Sequence, residues 1–402
     1  MTTTNLAVKQ LPATVDLSEA KKKFFAIRAA LESQLVEKDD MVQMLCAAFV
    51  LQEHCVVLGP HGCAKSMAVD GLMKCVDVAY VREGCHAQMT GDELVGILDL
   101  VAFHKHSQYR RNITGGMMTA EAVFLDEVFK TNTATLNMLL PGLNERIMRD
   151  KINGDIDIPL RMCAGASNEF PADAALAPLF DRFLFRHLDG YIQSRQAWKD
   201  LVFAKANQTT KQQKSFVVPC KLSLAEWDAI KADVDKVSTS MTIVDKLSDI
   251  KDALAADGVI LSDRRSCQIT GALKAAAWLD HEDAVNVDHL QILRFVCWDT
   301  PDDREKIIAI LASVERSATA KVMGEIDDAL RQWRERPQDR REYHEALSGL
   351  MAMLRSAKEG VKTHLKSDTL TKRGRAKVMR RAKELADVGN KANKDFVAYC
   401  TI

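Results

Sequence analysis

The chain has no excess of charge of either sign: 55 Lys plus Arg stand against 55 Asp plus Glu. Overall charge therefore argues neither for nor against a nucleic-acid partner, and only local charge is informative. No run approaches the roughly 18 apolar residues of a membrane span, and Met1 to Asn5 open no signal pattern of basic region plus apolar stretch. The expected location is the cytoplasm. The ten cysteines form no C-x-x-C pair, and several lie in apolar surroundings. They read as reduced core thiols rather than disulfides or zinc ligands. His104 and His106 have no Cys, Asp or Glu ligand set beside them and read as surface residues. What remains is an ordinary globular composition, 47% hydrophobic and 27% charged, over 402 residues, enough for two or three domains with a real core.

The chain is organised around Val56-Val57-Leu58-Gly59-Pro60-His61-Gly62-Cys63-Ala64-Lys65-Ser66. An apolar strand breaking into a turn and then opening a helix aims several backbone N–H groups at one spot, where the helix dipole is also positive. Anions belong there. Lys65 would reach the outer phosphates of a nucleotide and the Ser66 hydroxyl would ligate Mg²⁺. The competing reading is a plain glycine turn between strand and helix. Ala64 stands where the phosphate-loop pattern has its second glycine, and alanine is acceptable there only at negative φ.

Glu121 to Glu127 is a second apolar strand, ending in two acids about sixty residues downstream. Carboxylates at the carboxyl edge of a parallel sheet sit where open α/β folds bind ligands. Asp126 would hold the Mg²⁺ shell and Glu127 would polarise the attacking water; the alternative is a helix whose first turn simply favours acids. Arg161 to Asn168 is a third buried strand, whose terminal Asn168 either orients the lytic water or ends the strand in an Asn turn. Leu179-Phe180-Asp181-Arg182-Phe183-Leu184-Phe185-Arg186 carries two arginines where helix gives way to strand. One would project into a neighbour as an arginine finger, or else pair with Asp181 at the surface. Arg264 lies close to the cap of a helix opened by Ser262 and Asp263, from where it could reach back over the nucleotide.

Further elements follow from periodicity. Asp16 and Ser18 are caps for a helix with Phe24, Ile27, Leu31 and Leu35 on one face, and Asp39 to Leu51 is a second helix. Thr133 to Leu143 is helical, and Ile147 to Ile158 alternates around Asn153-Gly154 as a hairpin, either a contact element or a connecting ribbon. Asn207 to Cys220 reads as a linker and everything beyond Ser223 as helix. Leu311, Val314, Ala318, Val322, Ile326 and Leu330 form one stripe of a long helix that Pro337 ends, with two more helical patterns to Val397. Between Lys358 and Lys383 ten basic residues face only Glu359 and Asp368, as a solvated helix face or as a surface for an acidic partner or nucleic acid. No aromatic residue lies there to stack on bases.

Taken in order, GPHGCAKS, FLDEVFK with NMLLPGLNER, CAGASNEFP, LFDRF and LSDRR resemble a MoxR-type AAA+ ATPase, most closely its RavA (regulatory ATPase variant A) branch, over roughly residues 20 to 300. That branch tolerates alanine before the lysine. The resemblance implies an α/β fold: an αβα P-loop core with a parallel sheet, a helical lid and, here, a helical extension. The corresponding ranges are an arm at 1–19, the core at 20–213, the lid at 214–300 and the extension at 301–402. It also implies an Mg²⁺-dependent ATPase ring, usually of six subunits. ATP and Mg²⁺ would be held by Gly59, Pro60, His61, Gly62, Cys63, Ala64, Lys65, Ser66 and Asp126, with Ser66 and Asp126 on the metal. Glu127 would be the base, Asn168 sensor 1, Arg182 the finger with Arg186 second, and Arg264 the sensor 2 arginine with Arg265 behind it. Relatives remodel protein complexes, often with a von Willebrand factor A domain adaptor. An AAA+ motor on nucleic acid and a nucleotide-controlled assembly scaffold are the alternatives.

Overall fold

A computed structural model describes residues 15–107, 111–150, 154–171, 174–206, 216–334, 340–366 and most of 378–394. Most of the expected arm, the hairpin tip at 151–153, the first part of the expected linker at 207–215, Pro337 and the 367–377 part of the basic stretch lie outside those residues.

Asp16 caps α1 (Leu17–Gln34), its carboxylate accepting from the Ser18 and Glu19 amides, and α1 buries Phe24, Ile27 and Leu31. In α2 (Asp39–Leu51) every residue from Met44 to Leu51 is buried, so the helix runs inside the core. The first strand, β1 (Cys55–Leu58), is followed by α3 (Lys65–Lys74), β2 (Val76–Asp77) and β3 (Tyr80–Gly84). A Thr90–Glu93 capping box starts α4 (Gly91–Val95). Then come β4 (Ile97–Leu98), α5 (Leu100–His106), β5 (Arg111–Asn112) and β6 (Ala122–Asp126).

The helix expected over Thr133 to Leu143 is instead two short ones, α6 (Thr133–Asn137) and α7 (Leu140–Glu145). Pro141 lies in the first turn of α7, where its missing N–H is harmless; continuing α6 through it would lose a helical hydrogen bond. The hairpin forms from β7 (Ile147–Asp150) and β8 (Gly154–Asp157), but Gly154 pairs with Asp150 as a strand residue, so the turn is not centred on Asn153-Gly154. After β9 (Met162–Ser167) come α8 (Ala177–Phe180), β10 (Phe185–Leu188), α9 (Arg195–Ala206), β11 (Leu222–Ser223) and α10 (Leu224–Val234). Further helices are α11 (Met241–Ala256), α12 (Asp263–Leu279), α13 (Pro301–Arg334) and α14 (Arg340–Lys366).

The main sheet has the order β10-β1-β9-β6-β3 and all its pairs are parallel. Leu58 pairs with Ser167, and Asp126 with both Ala166 and Gly84. The turns after β1, β6 and β9 therefore leave one edge of the sheet side by side.

The chain divides into two compact units. The first comprises Met1–Val237, Asp263–Asp283 and Phe295–Pro301. It includes α10 and α12. The reason is aromatic packing: Trp227 stacks on Phe49 at 4.3 Å and donates its indole N–H to the Phe49 carbonyl, while Trp278 packs on Phe24 and Phe25. The second unit comprises Ser238–Ser262, Ala284–Arg294 and Asp302–Ile402. Within it Ile326, Leu330 and Trp333 of α13 share a core with Met351, Leu354 and Val361 of α14. Among the described residues no helix is long and apolar enough to cross a membrane.

Candidate nucleotide site

The turn after β1 is shaped by three positive backbone angles. Gly59 has φ +148°, and a Cβ there would lie 2.6 Å from the Asp189 carbonyl oxygen; Gly62 has φ +80°. Ala64 has φ 65° and ψ 16°, so the requirement for negative φ at this position is not met. Alanine takes the left-handed conformation that glycine takes freely, at about 1–2 kcal/mol. The turn into α3 demands it: Ala64 caps the helix, and its carbonyl accepts from the Ala68 amide at 2.9 Å. The first amides of α3 then have no intrahelical acceptor and point back over the turn.

Lys65, the first residue of α3, is buried, and its ammonium donates to the Gly59 and Pro60 carbonyls and to Asn168 Oδ1 at 2.7 Å. Burial pushes the ammonium below the usual lysine range, while Cys63, Glu127 and Asp126 oppose that shift. Because lysine only donates, Asn168 must present its oxygen to Lys65, and its Nδ2 is left buried without a hydrogen-bond partner. A buried orphan donor beside a buried ammonium suits a ligand rich in acceptor oxygens, as phosphates are.

Ser66 donates to Asp126 Oδ2 at 3.1 Å. A hydroxyl and a carboxylate are the hard oxygen donors that Mg²⁺ takes. Glu127 also sits in the left-handed region, φ 57°, where the end of β6 turns away, and its carboxylate accepts from the Asn168 amide at 3.3 Å. Lys130 lies 3.5 Å from the same carboxylate and the exposed His61 lies 3.9 Å from it.

The sequence reading missed Arg82. From β3 its guanidinium bridges Asp126 Oδ2 at 2.5 Å and Asp70 at 2.6 Å, with Tyr80 also donating to Asp70. The signal was a polar pair, Arg82 and Glu83, at the end of a strand that pairs with β6.

The arginines separate into two classes. Arg186, expected as a second finger, is wholly buried, donates to the Phe180 and Phe183 carbonyls at 3.0 Å each, also reaches the Trp298 carbonyl and Asp299, and stacks on the Phe180 ring. Its guanidinium is enclosed by its own unit, so it is not presented to a neighbour. Arg265 is buried as well, donating to the Val296 carbonyl at 2.9 Å and to Asp181 at 2.6 Å. Arg182 and Arg264 are less enclosed, with side chains 22% and 37% exposed, and both face Asp181. Arg264 thus sits beside the Asp-Arg-Phe turn.

Comparisons with known proteins show the family. The family described as the MoxR domain in the MoxR-vWA-beta-propeller ternary systems matches residues 22–239, more than half of the chain. The chain belongs to the MoxR family of AAA+ ATPases. An AAA lid domain family matches residues 242–311 of this MoxR chain. Two uncharacterized proteins of Methanocaldococcus jannaschii are 31% identical, one over 314 residues covering 78% of each chain, the other over 283 residues covering 70% of this chain and 73% of that protein. A crystal structure of a candidate ATPase from Cytophaga hutchinsonii superposes with a TM-score of 0.57 at 16% identity, over 74% of this chain and 97% of that one, and supports the fold.

Proposed function

We propose that this AAA+ ATPase works as a ring of identical subunits, usually six in relatives, that couples Mg²⁺-dependent ATP hydrolysis to remodelling a protein complex. The observation that carries the reading is the position of Arg182. It pairs with Asp181 at 3.4 Å, its Nε has no hydrogen-bond partner, and among the described residues it makes no hydrogen bond or ion pair to Lys65, Ser66, Asp126, Glu127 or Asn168. An arginine held apart from its own cradle suits an arginine finger for the neighbour's nucleotide.

In this reading Lys65 and the amides opening α3 bind the phosphates, and Ser66 and Asp126 hold Mg²⁺, which would neutralise phosphate charge. Asn168 donates its free Nδ2 to the γ-phosphate or the attacking water. Glu127 orients that water and takes its proton. Arg182 stabilises the charge that develops on the transferred group, and Arg264 is the sensor 2 arginine.

A partner with a von Willebrand factor A domain is supported by the description of the matched family, which also names a β-propeller. The RavA branch rests on motif resemblance alone.

The test is ATP turnover per subunit against protein concentration, with and without DNA, on a sample whose mass is followed. Turnover should rise as a larger species forms and ignore DNA. Constant turnover by a monomer would contradict the shared site, and stimulation by DNA would favour a nucleic-acid motor.

A further inference from the structure

Asp181 ends α8 and is surrounded by four guanidinium groups. They are not distributed at random over its two oxygens. Oδ1 takes Arg265 at 2.6 Å and Arg186 at 3.9 Å, the two arginines with 5% and 0% exposed side chains. Oδ2 takes Arg182 at 3.4 Å and Arg264 at 3.8 Å, the two that reach solvent.

The inner pair cannot shift easily. Arg265 is tied to backbone carbonyls at Leu184 and Val296, and Arg186 to those at Phe180 and Phe183. Oδ1 is therefore fixed from inside the fold, and Oδ2 with it. The outer pair has little else to hold it. Arg182 has an unpartnered Nε, and the only ion pair of Arg264 among the described residues is to Asp181. Burial works against the charge on Asp181, yet the Arg265 hydrogen bond and the Arg186 and Arg182 charges keep its carboxyl below the usual range, so it is an anion at neutral pH.

We infer that Asp181 is a positioning residue that sets Arg182 and Arg264 as one unit, two guanidiniums sharing an oxygen anchored by the buried Arg265 and Arg186. It touches no substrate; it acts by fixing where the two outer arginines present their charge. This rests on the reading of Arg182 as a finger. A displacement of about 1 Å in such a group lowers turnover about a hundredfold without weakening ground-state binding.

The test is a double-mutant cycle on full-length protein: wild type, Asp181→Asn, Arg182→Ala and the double variant, with kcat, KM for ATP and melting temperature for each. Asp181→Asn should lose at least about tenfold in kcat with KM changed by less than about threefold. In the Arg182→Ala background Asp181→Asn should cost less than it does in wild type, because only the part that runs through Arg264 is left to lose. Losses that multiply would overturn the inference, as would full turnover by Asp181→Asn when Arg182→Ala is strongly slowed. Full turnover by Arg182→Ala would remove the finger reading, and the inference with it. Asp181→Glu, which keeps the charge but moves it by one methylene, runs the same cycle with the same expected pattern if Asp181→Asn melts below the assay temperature.

Discussion

The two ends of the five-stranded sheet are both polar, yet they treat their polar groups in opposite ways. At the amino end His54, just before β1, is buried and fully used. Its Nδ1 accepts from the Cys163 amide at 2.9 Å, which fixes the proton on Nε2, and that N–H donates to the Leu143 carbonyl at 2.9 Å. Arg146 lies against the ring and donates to the Gln52 and Arg161 carbonyls. At the carboxyl end Asn168 keeps a free donor, Ala64 and Glu127 hold left-handed backbone, and Asp126 is shared between Ser66 and Arg82. One end is closed on itself and serves stability. The other leaves donors, carboxylates and strain in place for a ligand.

Breaking the carboxyl end should therefore remove activity and spare the fold. Lys65→Ala should abolish measurable ATP binding in a nucleotide titration, and Glu127→Gln should lower kcat by about a hundredfold or more while still binding ATP. Both should melt near the wild-type temperature. If Glu127→Gln hydrolysed normally, the base would have to be sought elsewhere.

Breaking the amino end should do the reverse. Burial, followed by the Arg146 charge, pushes the His54 pKa down to about 3, against roughly 6.5 in the unfolded chain. The unfolded state then binds more protons between these values, so stability is complete above pH ~6.5 and falls as pH drops toward 3. The expected slope from this group is about 1.4 kcal/mol per pH unit. Urea unfolding between pH 5 and 7 measures it, and His54→Gln, which keeps a donor and an acceptor, should flatten the slope.

Two smaller effects sharpen the contrast. Ala64→Gly should raise unfolding stability by about 0.5–1 kcal/mol, since relief of left-handed strain outweighs the added chain entropy. Arg82→Gln frees Asp126 of a competing cation, and should lower the Mg²⁺ concentration for half-maximal ATPase by about threefold.

Sequence patterns located the three strand ends well, because apolar runs ending in Gly59, Asp126 and Asn168 are what a buried parallel sheet with a ligand edge requires. The Asp16 cap, α2 and the apolar face of α1 were legible for the same local reasons. What was hidden depends on distant neighbours. Arg82 reaches Asp126 only through the pairing of β3 with β6. Arg186 looks like any arginine near a strand until Phe180, Phe183 and Trp298 close over it. Ala64 keeps a glycine conformation that its side chain disfavours, which local propensity argues against. The place of α10 and α12 in the first unit was set by Trp227 and Trp278 meeting α1 and α2, contacts that no periodicity announces.

The central claim is that one subunit's cradle works with another's Arg182, and mixing tests it most directly. Lys65→Ala and Arg182→Ala subunits, each strongly impaired alone, are combined over a range of ratios and ATP turnover is read. Turnover should rise in the mixture, highest near equal amounts, where intact cradles meet intact arginines. No gain at any ratio, with mixed assemblies shown to form, would contradict a finger supplied by the neighbour.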